Sequence, residues 1–465
     1  MAEERPTVAV LTLGCKLNQA DSEAIARSLG RNGVRVVDRP VAGAAAFVIN
    51  TCSVTHVADR KARHLVRLAR RLSPDAQIVL TGCYAETAPA GIAAVTGADV
   101  ILGNAAKPSI PERLLDRLQE RGDPAAGCPA PSEGGLRARA FIKIQEGCSE
   151  LCAFCIVPYT RGREASVPVE IVVAQVQQRE AEGAIEVVLT GTQLGNYGRD
   201  LGWGEQGPRR LLQELLDATS VPRIRLSSLQ AQDISPQLVR LWSASGGRLC
   251  PHFHLPLQSG SDDVLRPMRR RYTARQFGRA VQLIRENIPD VAITTDVIAG
   301  FPGETDEDFA RTLALCEETG FAAIHAFPYS RRPHTGAALM PGHLPPPLRR
   351  ARLERLLELG RRSAHAFRRR FLGRIMEVLW EREAAGPIRP FDSAPARVAP
   401  EGRGRVWRQD RQAQGKRWQG LTANYIRVYT SADTDLTNRL LPAYLASVDG
   451  EDVTGVVAPA PALSA

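Results

Sequence analysis

The chain has 465 residues, 44% hydrophobic and 24% charged, a globular composition that excludes a fibrous or wholly disordered protein. At about 100 to 200 residues per domain it has room for two to four domains. A formal charge of +10 suits a polyanionic partner, because Lys and Arg gain from phosphate contact by counterion release, although an Arg-rich genome would give the same excess.

The opening "MAEERPTVAVLTLGC" lacks the ordered regions of a secretory signal, and runs such as "AAAFVI" are shorter than the roughly 20 residues of a membrane span. A cytoplasmic protein with no membrane partner is expected. In a reducing compartment its nine cysteines point to metal or catalysis before disulfides.

Residues 1–105 form the first expected domain, an open α/β parallel sheet. Its β-like runs "TVAVLTLG", "AAFVINTCSV" and "AQIVLTGCYA" alternate with the helical "QADSEAIARSLGRNG" and "ADRKARHLVRLARRL". Cys15, Cys52 and Cys83 each stand just past the carboxyl end of a predicted strand, the edge where such sheets bind ligands. Three thiols distant in sequence can thus converge; three buried core cysteines are the alternative. Arg63, Arg67, Arg70 and Arg71 make a basic stripe, read as a solvated face ahead of an RNA contact. Residues 106–138, with "GDPAAGCPAPSEGG" and Cys128, read as a linker.

Residues 139–368 repeat the alternation with about six strands, which predicts an α/β barrel, open or closed. At its start "QEGCSELCAFCIVPYTRGRE" spaces Cys148, Cys152 and Cys155 as C-x-x-x-C-x-x-C. A structural zinc site needs a fourth ligand, and no suitable Cys or His pair follows. Three thiolates instead suit three irons of a [4Fe-4S] cluster, with the fourth iron open to a substrate or cofactor. S-adenosylmethionine can chelate such an iron, and one electron then cleaves its sulfonium to a 5′-deoxyadenosyl radical.

Residues 369–458 carry short β-like runs that suit a small all-β barrel, interrupted at about 384–419 by a Gly-, Pro- and Arg-rich stretch read as a flexible insertion. Residues 459–465 are a tail.

The cysteine spacing, with Phe154 before the third thiol at the start of a barrel, resembles the radical SAM superfamily. The wider set "LGCKLNQADSE", "NTCSVT", "TGCYAE", "LTGTQLGNYG", "FHLPLQSGS" and "DVIAGFPGET", with a terminal β-barrel like the RNA-binding TRAM domain, is similar to the methylthiotransferase family. The resemblance implies a multidomain α/β fold: an open sheet, a partial TIM-like radical SAM barrel and a TRAM-like β-barrel. It implies two [4Fe-4S] clusters, one on Cys148, Cys152 and Cys155 and an auxiliary one on Cys15, Cys52 and Cys83. One S-adenosylmethionine would supply a methyl group to sulfur at the auxiliary cluster, and a second the radical that opens an unactivated carbon to methylthio transfer. An electron donor such as flavodoxin or ferredoxin, and a sulfur donor, are implied partners.

Thr190, Gly191 and Thr192 are the implied S-adenosylmethionine turn, or simply a βα turn that needs Gly. Ser227 and Ser228 face the cofactor or cap the next helix. Gly300 and Gly303 match an adenine-contacting loop, yet are also ordinary turn residues. His252 and His254 share one side of a strand, near the cofactor or in the core. Arg270 and Tyr272 suit a phosphate and a base, unless they lie on a solvated loop.

"GCKLNQADSEAI", "NTCSVTHVADRKARH" and "HAFPYSRRPHTGAAL" most resemble the branch acting on N6-threonylcarbamoyladenosine just 3′ of the tRNA anticodon. Branches that act on isopentenyladenosine or on a ribosomal-protein aspartate are the alternatives, and a non-catalytic iron-sulfur protein that binds RNA or senses redox state is one of another kind. The family's "RGRERSR" is "RGREASV" here, so Ala165 and Val167 leave Arg161 and Arg163 as the expected phosphate contacts, and His334 stands where Gly is usual. The sequence assigns no role to Cys128, Cys250 or Cys316.

Overall fold

The computed structural model describes residues 5–87, 96–122, 138–384 and 415–457. Cys128, the tail and residues 385–414 of the expected insertion lie outside them. No helix among the described residues is long and apolar enough to cross a membrane.

Five strands, β1 (Thr7–Thr12), β2 (Arg35–Val37), β3 (Ala46–Thr51), β4 (Gln77–Gly82) and β5 (Val100–Leu102), form a parallel sheet in the order β2-β1-β3-β4-β5. Every residue of β3 is buried, as its apolar run "AFVINT" predicts for a central parallel strand covered on both faces. Ala62, Val66 and Ala69 of helix His56–Leu72 cover one face, while Ile25 and Leu29 of helix Lys16–Arg31 cover the other. The strand order reverses between β1 and β3, which opens a crevice at their carboxyl ends.

The expected linker is corrected over its first half, where a 3-10 turn, Asn104–Ser109, leads into helix Ile110–Glu120. Ile110, Leu114 and Leu118 recur every four residues and are 0 to 2% exposed against the sheet. Burying each contributes about 1.5 to 3 kcal/mol, so the segment belongs to the first domain.

The next strands are β6 (Arg139–Lys143), β7 (Gln145–Glu146), β8 (Ala165–Ser166), β9 (Glu186–Thr190), β10 (Arg223–Leu226), β11 (His252–His254), β12 (Ala292–Ala299) and β13 (Ala323–Pro328). Parallel sheets β6-β9-β10 and β11-β12-β13 meet at a bridge between Ile224 and Leu249, giving the six-stranded partial barrel expected. Among the described residues β6 and β13 do not pair, so the barrel is open. The short antiparallel pair β7–β8 brackets the cysteine loop. Cys250 and Cys316 are buried, 1% and 0% exposed.

Strands β14 (Ile375–Glu383), β15 (Lys416–Thr422), β16 (Arg427–Ala432), β17 (Arg439–Asp449) and β18 (Asp452–Val457) close a barrel in the order β14-β15-β16-β18-β17. Residues 416–419, placed in the insertion by their sequence, belong to β15. Val378, Trp380, Val428 and Val453 fill this barrel, and Phe367, Phe371 and Ala292 continue the same core into the central domain. Ala292 opens β12, so the terminal barrel docks at the amino ends of the central strands, opposite the cysteine edge.

Polar contacts fix that docking. Arg223 donates to the Leu421 and Glu377 carbonyls at 3.1 and 2.9 Å, and Arg225 donates to the Ala423 carbonyl at 2.9 Å while paired with the fully buried Glu186 at 2.7 and 3.0 Å. On the other side the first domain is held by Asp21 with Lys143 at 2.8 Å, Glu23 with Arg179 at 3.0 Å, and Asp59 with Arg332 at 2.9 Å.

Candidate active site

Cys15 sits at the amino end of helix Lys16–Arg31, just past β1; Cys52 directly follows β3, and Cys83 follows β4. The first is exposed and the other two are buried. Gly14 has φ +101°, and a Cβ there would stand 2.5 Å from that of Cys52, so only glycine lets the two thiol loops approach. Asn18 donates to the Leu13 and Thr51 carbonyls at 2.8 and 2.9 Å, Asn50 donates to the Asn18 carbonyl at 2.9 Å, and the Thr51 hydroxyl donates to the Thr81 carbonyl at 2.5 Å. These bonds tie the three cysteine loops into one unit at the strand-order reversal.

Arg161 joins this unit rather than the surface, which corrects its reading as a phosphate contact. It donates to Glu146 at 2.6 Å and to the Asn18 carboxamide oxygen, with a side chain only 2% exposed. Burial works against its charge, but Cys83, Cys15 and then Asp21 and Glu146 outweigh this and raise its pKa. Arg163 is exposed and lies outside the cavity described below.

The second triad lies in the loop between β7 and β8. The Cys148 amide donates to the Gly162 carbonyl at 3.1 Å, the Ala153 amide to the Met268 carbonyl at 3.0 Å, and the Cys155 amide to the Cys152 carbonyl at 3.0 Å. Phe154 packs against the apolar cluster of Ala153, Met268 and Phe301. Burial pushes the Cys148 thiol up to about 11 and that of Cys155 to about 12, so both keep their protons until a metal displaces them. Among the described residues no three His, Cys, Asp or Glu groups converge as a single-ion site. A cluster that places each thiolate on a different iron does not require such convergence.

The expected phosphate-and-base pair is corrected here. Arg270 points inward and donates to Cys152 Sγ at 3.2 Å and to Gln230 Oε1 at 2.6 Å. Tyr272 is 3% exposed and donates to the Leu257 carbonyl at 3.0 Å, so its ring is not offered to a base.

A cavity of about 830 Å³ joins the two triads. Cys15, Cys52 and Cys155 line it together with Thr190, Gly191, Thr192, Ser227 and Ser228 from the ends of β9 and β10. Gln145 Oε1 accepts from the Thr192 and Gln193 amides at 2.9 and 3.0 Å, and a Cβ on Gly191 would lie 2.9 Å from that oxygen. Thr192 Oγ1 and Ser227 Oγ are buried with no hydrogen-bond partner among the described residues. Unpaired buried hydroxyls beside three thiols fit a polar cofactor such as S-adenosylmethionine bound over a cluster. Gly300 and Gly303 do not line the cavity; their amides donate to Glu304 Oε2 and to the Gly342 carbonyl, each at 2.9 Å, and shape the turn after β12.

The same cavity is lined by Lys16, His252, His254, His325 and Tyr425. His252 stacks on Tyr425 with ring centres 4.5 Å apart, and its pKa is held well below the usual histidine range by burial, then by Arg225 and Lys16. His254 pairs with Asp296 at 3.2 Å. Tyr425 comes from the terminal barrel and adopts φ +69°. The sequence reading missed Asn18, Asn50, Gln145, His325, Asp296 and Tyr425. The asparagines lie within three residues of cysteines in "CKLN" and "NTC", which is a usable signal; the others carry none.

Three thiols in one short loop at the carboxyl edge of an open α/β barrel, beside unpaired hydroxyls that follow strand ends, are the features of a radical SAM enzyme. Residues 142–316 match the radical SAM superfamily and residues 7–103 the family described as "Uncharacterized protein family UPF0004". The chain is 37% identical to a threonylcarbamoyladenosine tRNA methylthiotransferase MtaB of Bacillus subtilis, over 81% of this chain and 85% of that one. It is 34% identical to a tRNA-2-methylthio-N(6)-dimethylallyladenosine synthase of Caldicellulosiruptor saccharolyticus, over 80% and 82%. The radical S-adenosylmethionine methyltransferase TsrM of Kitasatospora setae shares the fold with a TM-score of 0.52 at 16% identity, over 72% of this chain and 77% of that one. The chain belongs to the methylthiotransferase family of radical SAM enzymes, and within it to the MtaB type. It is an enzyme that uses S-adenosylmethionine and iron-sulfur chemistry.

Proposed function

We propose that the enzyme adds a methylthio group to C2 of N6-threonylcarbamoyladenosine, just 3′ of the anticodon in cytoplasmic tRNA. The observation that carries this reading is a single cavity lined by Cys15 and Cys52 from one domain and Cys155 from another. Six thiols divided between two domains suit two [4Fe-4S] clusters, one on each triad. When bound, they and S-adenosylmethionine supply a radical on one side of the substrate and a sulfur donor on the other.

The protein's own part is positioning. Gln145 fixes the Thr190–Gly191–Thr192 turn, whose free hydroxyl, with that of Ser227, is available to hold the cofactor. Asn18 and Asn50 hold the sulfur-donating side opposite. The neutral His252 and the apolar run Ile298, Phe327 and Pro328 in the wall limit water near a reactive intermediate. Reduction calls for a low-potential donor such as flavodoxin or ferredoxin, and repeated turnover calls for a sulfur donor.

Nucleoside mass spectrometry of tRNA from cells expressing the enzyme tests the substrate. Methylthio-threonylcarbamoyladenosine is expected; methylthio on isopentenyladenosine alone would overturn the assignment. In reconstituted enzyme Cys15→Ala is expected to abolish thiomethylation while 5′-deoxyadenosine still forms, and Cys152→Ala to abolish both. Bound iron should fall by about half in either variant if each triad holds one cluster.

A further inference from the structure

We propose that Lys16 binds the threonyl carboxylate of the substrate nucleoside and so sets the enzyme's choice among modified adenosines. This rests on the substrate reading above.

Besides its three histidines, the cavity wall contains three cationic side chains, Lys16, Arg161 and Arg332. Arg161 is taken up by Glu146 and Asn18. Arg332 makes two 2.9 Å bonds to Asp59 and one of 2.6 Å to Ser53. Among the described residues Lys16 has no ion-pair or hydrogen-bond partner; its ammonium lies 5.2 Å from the centre of the Tyr425 ring. A cation held only by an aromatic face in a cavity wall retains its capacity for an anion.

The shape of the substrate places that anion. C2 and N6 lie on the same edge of the adenine six-membered ring, on either side of N1, and their outward bonds diverge. With C2 turned to the thiols, the N6 arm therefore leaves the ring beside them, within reach of Lys16, which directly follows Cys15 in a wall shared with His252 and Tyr425. That arm ends in a carboxylate and a hydroxyl. His252 lines the same cavity and is 2% exposed, and its Nδ1 is buried and unpartnered among the described residues, a second polar group beside that space. A dimethylallyl arm, all hydrocarbon, would cover both groups and satisfy neither.

The test uses reconstituted enzyme and three fluorescent anticodon stem-loops of one sequence. The adenosine 3′ of the anticodon is unmodified, threonylcarbamoylated, or threonylcarbamoylated with its carboxylate as the methyl ester. The wild type is expected to prefer the free acid over both others by roughly ten- to a hundredfold, the usual range for a hydrogen bond to a charged group. Lys16→Gln should lose that preference and Lys16→Arg should keep most of it.

The ester measurement leaves the protein untouched and so stands even where a variant folds poorly, which iron content and thermal melting report. Equal binding of acid and ester by the wild type, or an undiminished preference in a folded Lys16→Gln, overturns the proposal. An equal loss for all three RNAs in Lys16→Gln means a phosphate contact, and lost S-adenosylmethionine binding in equilibrium dialysis means the cofactor's carboxylate; each overturns it too. If the wild type thiomethylates the free acid while any of these occurs, only the Lys16 assignment falls. If it does not thiomethylate that RNA at all, the substrate reading falls with it.

Discussion

Arg270 reaches Cys152 Sγ because Arg269, at φ +59°, turns the chain and aims the next side chain inward. In sequence, "RPMRRRYTARQ" gives no hint of that reversal, and an arginine run reads most naturally as a surface for RNA. A donor on a ligating sulfur stabilises the more negative, reduced state of a cluster. Arg270→Met should therefore lower the midpoint potential of that cluster, by up to roughly 60 mV, the one-electron equivalent of about 1.4 kcal/mol. An EPR-monitored redox titration measures it, and an unchanged potential would reduce Arg270 to a packing role. The cysteines themselves were legible, since thiols at repeated strand ends or in tight spacing have few other uses. Asn18 and Asn50 carried a signal only through their closeness to cysteines, and it takes the fold to show that they tie loops together.

At the scale of elements, β10 departs most from its pattern. "RIRL" alternates as a half-exposed strand would, with arginines outward, yet Arg223 and Arg225 are 3% and 0% exposed. The terminal barrel covers them, and its carbonyls, with Glu186 of β9, take up their charge. The strands were readable from periodicity, but the fate of their polar faces depended on a partner nearly two hundred residues away. Removing one member of a buried ion pair leaves the other uncompensated, at a cost of about 3 to 5 kcal/mol. Glu186→Gln is expected to lower the denaturation midpoint accordingly and to speed proteolysis between the central domain and the terminal barrel. A melt within about 0.5 kcal/mol of wild type would show that the carbonyls alone satisfy Arg225.

Across the whole molecule the three-part division followed from the change of hydrophobic period along the chain, whereas the docking of the parts did not. Besides the shared apolar core, their contacts use charged side chains, which in sequence are indistinguishable from a solvated surface. Asp21 is the clearest case, bonded to Lys107 at 2.7 Å and Lys143 at 2.8 Å with a side chain 2% exposed. Burial opposes its ionisation, but Lys107, Lys143 and Arg161 prevail and hold its pKa below the usual carboxylate value. A depressed folded pKa contributes stability that is complete above the unfolded value of about 3.9 and is lost as pH falls through the folded one. In urea titrations of the metal-free protein, the wild-type advantage over Asp21→Asn should be largest at pH 5 and above, and shrink progressively below about pH 4. A constant difference across that range would mean that Asp21 acts through packing alone.

Tyr425 belongs to the terminal barrel, yet it lines a cavity whose other walls include residues near the start of the chain. Synthesis runs in the opposite sense to assembly of that space. All six thiols leave the ribosome well before the tyrosine, and domains fold in the order they emerge. Until the terminal barrel is complete, the active-site cavity lacks the wall that Tyr425 supplies. That wall is laid last, and a chain cut short before the terminal barrel would keep every cysteine and still lack it.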